Sequence, residues 1–276
     1  MRVLKTEADL GAHLPPGGVL VPTMGALHAG HLALVKRGVQ AARTAQTACV
    51  VSIFVNPTQF NDPKDMAAYP RTLDADLAAC RDCGATDVFV PEIDVIYPME
   101  REPLAPELPA VATEPKLEDA FRPGHFLGVC QVVWRLFELT RPSVAVFGEK
   151  DWQQLRAVTA MSESMGLPVR ILGVPTVRES DGLAMSSRNR HLGESDRKTA
   201  LGLYRALLES QGVASVDAAE AHMRKLMTNA GVEVEYAAIR DARTLTKRPG
   251  QSDGPFRAFV AGRVGPTRLL DNMEWS

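Results

Sequence analysis

The stretch Pro22-Thr23-Met24-Gly25-Ala26-Leu27-His28-Ala29-Gly30-His31 decides the fold of this chain. It follows the apolar run Val19-Leu20-Val21 and precedes a segment with helical spacing from about Leu32 to Ala42. A strand, a glycine-bearing turn and a helix therefore meet here. The start of a helix presents unpaired N–H groups and about half a positive charge. Two imidazoles beside such a helix start predict a binding place for a polyphosphate.

Working outward, apolar runs alternate with segments of helical period along the first 175 residues. The runs are Val19–Pro22, Cys49–Val55, Val88–Val90, Ser143–Phe147 and Val169–Val174, and the helices are Leu32–Ala42, Leu73–Cys83, Gly128–Thr140 and Trp152–Met165. Unbroken apolar runs are typical of parallel strands that are covered on both faces. The pattern predicts an α/β fold with a Rossmann-like, doubly wound parallel sheet, whose ligands bind beyond the carboxyl ends of the strands.

The pattern changes after about residue 175. Two helices, Ser195–Gln211 and Val216–Gly231, precede segments with strand-like alternation, namely Val234–Arg240, Phe256–Arg263 and Thr267–Asp271. We therefore expect a larger domain over residues 1–175 and a smaller C-terminal α+β domain over 176–276. Residues 98–116, rich in Pro and Glu, predict an excursion or flap, and Pro249, Gly250 and Gly254 predict a loop.

Bulk properties restrict the class of protein. The 276 residues carry a net charge of −2, which gives no general electrostatic reason to bind nucleic acid or an anionic membrane. The N-terminus has no signal-peptide core, and no apolar run is long enough for a membrane span. Cys80 and Cys83 form a lone C-x-x-C without a second ligand pair, so two reduced helix cysteines are favoured over a zinc site. A cytoplasmic enzyme fits these properties.

Four clusters of chemistry-bearing residues stand at predicted strand ends or loop tips. They are His28 with His31, Gln59, Gly148-Glu149-Lys150-Asp151, and Met185-Ser186-Ser187-Arg188. Each cluster alone is common on protein surfaces, but together they offer the cations and N–H donors that transfer of AMP from ATP needs. Lys150 would supply a point charge and Arg188 a forked pair of donors to phosphate. No nucleophile for covalent catalysis is evident.

These motifs carry a resemblance to a known family. PTMGALHAGH, FVNPTQF, YPRTLDADL, RPGHFLGV, FGEKDWQQL, MSSRN and a terminal LLDNM occur in that order over essentially the whole chain. The chain resembles the pantothenate synthetase (pantoate–β-alanine ligase) family of the HxGH nucleotidyltransferases. The MSSRN stretch is similar to the KMSKS loop of class I aminoacyl-tRNA synthetases.

The resemblance implies two half-reactions and a set of roles. Pantoate attacks the α-phosphorus of Mg-ATP to give pantoyl adenylate and pyrophosphate, and β-alanine then displaces AMP to give pantothenate. The implied ATP-binding residues are Met24, Gly25, Ala26, Leu27, His28, Ala29, Gly30, His31, Gly148, Glu149, Lys150, Asp151, Val177, Met185, Ser186, Ser187 and Arg188. Among them, the implied catalytic groups are His28, His31, Lys150, Ser186, Ser187 and Arg188.

The same resemblance implies the remaining site. Gln59 and Gln154 would bind pantoate and lie near β-alanine, with Asn56 and Arg122 as lesser candidates. Asp74 or Asp76 would be the carboxylate on the Mg²⁺ side of ATP. The family assigns a proton-donor role to His31, but leaving pyrophosphate needs its charge neutralised more than it needs a proton, so we favour hydrogen-bond donation. No tightly bound organic cofactor is expected, and a homodimer is implied.

Small departures and two alternatives stay open. Thr58, Gln131, Glu138 and Trp152 are uncommon choices for the family, and they put substrate affinity in question more than reaction type. One alternative is a related nucleotidylyltransferase that makes a stable nucleotidyl product rather than releasing AMP. The other is a non-catalytic nucleotide-binding module, against which the intact histidine pair, Lys150 and the serine–arginine loop argue.

Overall fold

The structure is a computed structural model that describes residues 1–100, 106–247 and 255–276. Its contacts divide the chain into two compact units. The first comprises residues 1–109, 122–149 and 157–175, and the second comprises 110–121, 150–156 and 176–276. One boundary falls after residue 175, but residues 110–121 and 150–156 also belong to the second unit. The expected division into domains 1–175 and 176–276 stays a prediction.

The first unit is built on a six-stranded parallel sheet. Its strands are β1 (Arg2–Leu4), β2 (Val19–Thr23), β3 (Cys49–Ile53), β4 (Asp87–Phe89), β5 (Val144–Gly148) and β6 (Arg170–Val174). They lie in the order β1-β4-β3-β2-β5-β6, which places β2 and β3 side by side at the centre. The predicted α/β fold is confirmed. Because all pairs are parallel, the loops after β2, β3 and β5 leave from the same edge of the sheet.

Helices connect these strands. They are α1 (Glu7–His13), α2 (Ala29–Ala45), α3 (Pro63–Ala68), α4 (Leu73–Cys83), α5 (Ile93–Ile96), α6 (Glu118–Phe121), which belongs to the second unit, α7 (His125–Thr140) and α8 (Trp152–Ser164). The buried residues Val35, Val39 and Cys80 of α2 and α4 pack on the apolar core of β2 and β3. Helix α2 begins three residues earlier than the apolar period predicted, because His28 caps it.

The second unit contains a three-stranded antiparallel sheet of β7 (Glu233–Asp241), β8 (Phe256–Val264) and β9 (Thr267–Trp275). Helices α9 (Glu194–Glu209) and α10 (Val216–Asn229) share a hydrophobic core with it. The buried Met223 and Met227 of α10 and Ile239 of β7 lie in this core. The smaller α+β architecture predicted for the C-terminal part is confirmed.

Several local expectations need correction or fall outside the description. The segment before Tyr69, for which no element is predicted above, contains helix α3, whose start is capped by Asp62 and carries Pro63. Within the described part of 98–116 there is a 3₁₀ turn, Ala110–Ala112. Residues 101–105 of the expected excursion and the loop expected at Pro249, Gly250 and Gly254 lie outside the described residues.

The four cysteines are all free thiols. Burial raises the pKa of Cys49, Cys80 and Cys130 to about 12, so these thiols stay protonated. In the described ranges, no helix combines the length and apolar character needed to cross a bilayer.

Candidate active site

The loop that follows β2 is held by a buried carboxylate from α4. Asp76, 2% exposed, accepts the backbone N–H of Ala26 at 2.9 Å and that of Leu27 at 2.8 Å. The Thr72 hydroxyl donates to the same carboxylate at 3.2 Å. Two successive N–H groups bound by one side chain fix the path of the loop toward α2. Sequence reasoning missed this role. Its signal is the position of Asp76 one helical turn before Cys80, on the buried side of α4.

Gly25 is required by this arrangement. Its φ is +79°, in the left-handed region, and a Cβ there would lie 3.1 Å from both Asp76 Oδ2 and Ile53 Cγ2. Ala26 has a positive φ of 51° as well. The two consecutive left-handed residues, Gly25 and Ala26, turn the N–H groups of Ala26 and Leu27 toward Asp76, so the glycine in the motif serves backbone geometry.

His28 and His31 form a reciprocal cap at the start of α2. His28 Nδ1 accepts the Gly30 N–H at 3.2 Å, and His31 Nδ1 accepts the His28 N–H at 3.4 Å. The ring centroids are 4.1 Å apart. Because each Nδ1 accepts a hydrogen bond, a neutral imidazole at either position carries its proton on Nε2. The two imidazoles and the first turn of α2 therefore form one hydrogen-bonded unit, in which the Gly30 N–H is used by His28.

Asn56 orients Gln59 after β3. Asn56, 1% exposed, donates from Nδ2 to Gln59 Oε1 and to the Gly128 carbonyl, both at 3.1 Å. Its Oδ1 accepts from the Tyr97 hydroxyl at 2.7 Å. Burial raises the pKa of Tyr97, which keeps the phenol protonated as a donor. With its oxygen engaged, Gln59 presents Nε2, which lies 3.2 Å from Met24 Sδ.

Arg122 and His125 hold the same turn from the other side. The Gln59 carbonyl accepts from His125 Nδ1 at 2.9 Å and from Arg122 Nη2 at 3.3 Å, and Arg122 Nη1 lies 3.1 Å from His125 Nε2. Since guanidinium only donates, His125 Nε2 accepts and its proton lies on Nδ1. Helix α7 approaches closely, because a Cβ at Gly128 would lie 2.5 Å from the Thr58 carbonyl. Sequence reasoning missed His125, although it quoted the RPGH motif.

The departures from the family pattern have local partners. The Thr58 hydroxyl lies 3.0 Å from both Asn56 Oδ1 and the Tyr97 hydroxyl. Glu138 accepts from Arg135 Nη1 at 2.6 Å. Trp152 Nε1 donates to the Ala242 carbonyl at 2.8 Å. Nothing in the structure explains Gln131.

In the second unit, Lys150 is anchored through its backbone. The Lys150 carbonyl accepts from Asn272 Nδ2 at 2.8 Å, and Lys150 Nζ lies 3.6 Å from Asp151 Oδ1. Both residues belong to the 3₁₀ turn Glu149–Asp151, which follows Gly148 at the end of β5. The lysine side chain is about one-fifth exposed, 21%, so its ammonium remains accessible.

The segment Met185–Asn189, here named the serine loop, is tied at both ends. The Met185 N–H donates to the Val177 carbonyl at 2.9 Å, which brings these two predicted nucleotide-binding residues together. Asn189 Nδ2 donates to Glu179 Oε1 at 2.6 Å and to the Ala184 carbonyl at 3.0 Å. Between these ties, Ser186 Oγ accepts the Arg188 N–H at 3.3 Å and caps the 3₁₀ helix Ser187–His191.

Gln153 and Gln154 differ in their surroundings. Gln153, 4% exposed, accepts the Glu118 N–H and donates to the Val111 carbonyl and to Asp119 Oδ1, each at 2.9 Å. Gln154 is half-buried and makes no side-chain hydrogen bond to any residue within the described ranges. Gln153 thus fixes the start of α8 and leaves the neighbouring amide of Gln154 available to a ligand.

The two candidate magnesium-side carboxylates also differ. Asp74 is exposed in the first turn of α4, whereas Asp76 is buried and engaged with the loop after β2. Among residues 1–100, 106–247 and 255–276, no three His, Cys, Asp or Glu side chains are grouped as metal ligands. The magnesium assignment stays a prediction, and Asp74 is the member of the pair with an accessible carboxylate.

Comparison with known proteins identifies the family. Residues 11–274 match the family model described as pantoate-beta-alanine ligase. A pantothenate synthetase of Thioalkalivibrio sulfidiphilus is 46% identical over 99% of this chain and 97% of its own length. One from Bacteroides thetaiotaomicron is 42% identical over 100% of this chain and 99% of its own length.

Solved structures agree with the sequence relatives. A crystal structure of pantothenate synthetase from Thermus thermophilus superposes with a TM-score of 0.92 at 43% identity, covering 100% of both chains. A pantoate-beta-alanine ligase from Francisella tularensis, complexed with beta-gamma ATP and beta-alanine, gives a TM-score of 0.80 at 30% identity over 99% of this chain and 97% of that one. With the family model matched over nearly the whole length, the chain belongs to the pantoate–β-alanine ligase family.

Proposed function

We propose that this chain condenses pantoate with β-alanine at the expense of ATP, releasing AMP and pyrophosphate through a pantoyl-adenylate intermediate. The observation that carries the proposal is the pair of imidazoles at the start of α2, each with Nδ1 accepting a backbone N–H. Such a pair, in the tautomer with the proton on Nε2, would supply hydrogen-bond donors to an anion at the start of a helix. Family membership supplies the substrates.

In the first unit, His28 and His31 would stabilise charge on the phosphates as hydrogen-bond donors. Charge grows on the departing pyrophosphate in the transition state, where preorganised donors lower the barrier most. Gln59 Nε2 would donate to pantoate, because Asn56 occupies its oxygen. A neutral donor holds the pantoate carboxylate without forming an ion pair that would quench the nucleophile.

In the second unit, Lys150 would neutralise phosphate charge, and Ser186, Ser187 and Arg188 would supply hydroxyl, N–H and guanidinium donors to the same groups. Val177 would contact the adenine, and its carbonyl accepts the N–H of Met185, where the serine loop, the proposed mobile phosphate loop, begins. Gln154 would be the second pantoate amide. The roles of Glu149 and Asp151 remain as the family resemblance implies, on the nucleotide.

The second half-reaction needs protection from water. The amine of β-alanine attacks the acyl carbon of the adenylate, the bond from that carbon to the phosphate oxygen breaks, and AMP leaves. Water would perform the same displacement, so a closed site raises the yield of the amide. We assign closure to the serine loop, because it carries Ser186, Ser187 and Arg188, which the family resemblance places on the phosphates of ATP.

Mg²⁺, a homodimer and a cytoplasmic location belong to the proposal as well. Mg²⁺ bound to a nucleotide takes one or two protein carboxylates and draws its other ligands from phosphate and water. Asp74 fits that demand better than Asp76, whose oxygens hold the loop after β2. Substitution of Asp74 by Asn should then raise the Mg²⁺ concentration needed for half-maximal rate, and an unchanged requirement would remove Asp74 from the proposal.

The decisive experiment is ATP–pyrophosphate exchange followed by product analysis. We expect exchange that requires pantoate, and formation of AMP and pantothenate only after β-alanine is added. Exchange that is independent of pantoate would overturn the proposal. A stable nucleotidylated metabolite in place of AMP would identify a nucleotidylyltransferase, and ATP binding without turnover would identify a binding module.

A further inference from the structure

We propose that the Asp271–Asn272 step of β9 is the positioning element of the nucleotide-binding residues in the second unit, with Asn272 setting Lys150. The inference rests on the role proposed above for Lys150. Successive residues of a strand point to opposite faces of a sheet. Asp271 and Asn272 are both buried, at 4% and 3% exposure, and each holds a different nucleotide-binding segment.

Asn272 is fixed in one orientation by its two partners. Its Nδ2 donates to the Lys150 carbonyl at 2.8 Å, and its Oδ1 accepts from Arg257 Nη1. A guanidinium only donates and a carbonyl only accepts, so the amide cannot flip. The Arg257 guanidinium in turn lies 3.6 Å from the ring centroid of Trp152, two residues after Lys150. The turn that carries Lys150 is thereby bound to β9 through Asn272, and Trp152, just after the turn, packs on Arg257 of β8.

Asp271 holds the segment that leads into the serine loop. Its carboxylate binds Arg178 through two hydrogen bonds, of 2.6 and 3.1 Å. Arg178 also donates to the Gly182 carbonyl at 3.0 Å and lies 4.5 Å from the ring centroid of Tyr204 in α9. Arg178 follows Val177 directly and bridges to Ala184, next to Met185. Asp271 and Asn272, which are adjacent in β9, therefore fix the backbone positions of both Lys150 and the Val177–Met185 pair.

This link matters because the lysine stem is flexible. An ammonium on a four-carbon chain can occupy many positions. A fixed backbone restricts those positions to the set from which the ammonium reaches the phosphate. A displacement of about 1 Å at a reacting group can cost about a hundredfold in rate. Loss of the Asn272 bond should therefore reduce ATP use without touching the pantoate-binding residues of the first unit.

The test uses Asn272→Asp and Asn272→Ala in the full chain. Asn272→Asp keeps the size but faces the Lys150 carbonyl with an oxygen. We expect kcat/KM for ATP to fall about tenfold to a hundredfold in exchange assays, and ATP affinity by calorimetry to fall with it. The rate of β-alanine attack on preformed pantoyl adenylate should stay near wild type, because pyrophosphate has already left in that step.

Trp275→Phe is the matched control, because it removes a hydrogen bond of the same length, from Trp275 Nε1 to the Ser210 carbonyl at 2.8 Å, on the same strand. A general loss of stability would move its kinetics as much as those of Asn272→Asp. Equal losses in the two variants, or equal losses in the ATP and β-alanine steps, would overturn the inference.

A double-mutant cycle with Lys150→Ala completes the test. If Asn272 acts through Lys150, Asn272→Asp should have little further effect on ATP kinetics once the ammonium is gone. An undiminished effect in that background would show that Asn272 acts by another route. Failure of the proposed function is distinguishable, because it would show as absent pantoate-dependent exchange in the wild-type chain, whereas calorimetry would still report ATP binding.

Discussion

The loop after β2 and the serine loop are both proposed to bind the phosphates of ATP, but different contacts hold them. Each contains a residue that caps a helix, His28 for the 17-residue α2 and Ser186 for a five-residue 3₁₀ helix. The backbone of the first loop is held by Asp76, whereas the serine loop is held to neighbouring segments at Met185 and Asn189. Under the proposed function, the loop after β2 is a preformed phosphate-binding loop, and the serine loop is a mobile one.

The largest effect on turnover is expected from removing one charge-stabilising group in each unit. His31→Ala and Lys150→Ala should each lower turnover about a hundredfold or more, because each loses a group that meets developing phosphate charge. The measurement is pantoate-dependent ATP–pyrophosphate exchange on variants whose circular dichroism matches wild type. Near-normal turnover in a folded variant would remove that residue from the mechanism.

The grip on the first loop is tested by Asp76→Ala. The substitution leaves the buried Ala26 N–H and the half-buried Leu27 N–H without their acceptor, at a cost of about 1–3 kcal/mol for each group that stays away from water. We expect the free energy of unfolding, from urea titration, to fall by about 2–5 kcal/mol. Asp74→Ala, two residues away and exposed, is the control and should change stability by less than about 0.5 kcal/mol. Equal losses of unfolding free energy in Asp76→Ala and Asp74→Ala would contradict the role of Asp76 in holding the loop after β2.

The two tasks of His28 can be separated. His28→Ala loses both the cap and the imidazole, and should cost about 1 kcal/mol of stability. His28→Ser keeps an oxygen that can cap α2, so its unfolding free energy should stay close to wild type while its exchange rate falls with that of His28→Ala. A serine variant with restored activity would show that His28 acts only as a cap.

The smallest effect is expected in the serine loop. Ser186→Ala removes the side-chain cap of a single 3₁₀ turn, so stability should fall by no more than about 1 kcal/mol. Ser187→Ala keeps that cap and is the comparison variant for Ser186→Ala. If the loop closes over ATP, both variants should raise KM for ATP with little change in the unfolding midpoint. A large loss of stability from Ser186→Ala would place this loop among rigid elements like the first.

Local sequence determined the alternation of strands and helices, and with it the parallel sheet and the edge at which ligands bind. Apolar runs such as Cys49–Ile53 have only one favourable environment, a sheet covered on both faces. The motif around His28 and His31 likewise determined a helix start suited to an anion, since a turn, a cap and a helix are set by neighbouring residues.

Tertiary structure alone decided which distant groups hold these residues. Asp76 reaches Ala26 across 50 positions, His125 reaches Gln59 across 66, and Asn272 reaches Lys150 across 122. Such partners are chosen by packing, which a local pattern does not contain, so an expected metal-side carboxylate is found engaged with a backbone turn. The sequence by itself predicted which groups would bind ATP; the fold decided which partners keep those groups in place.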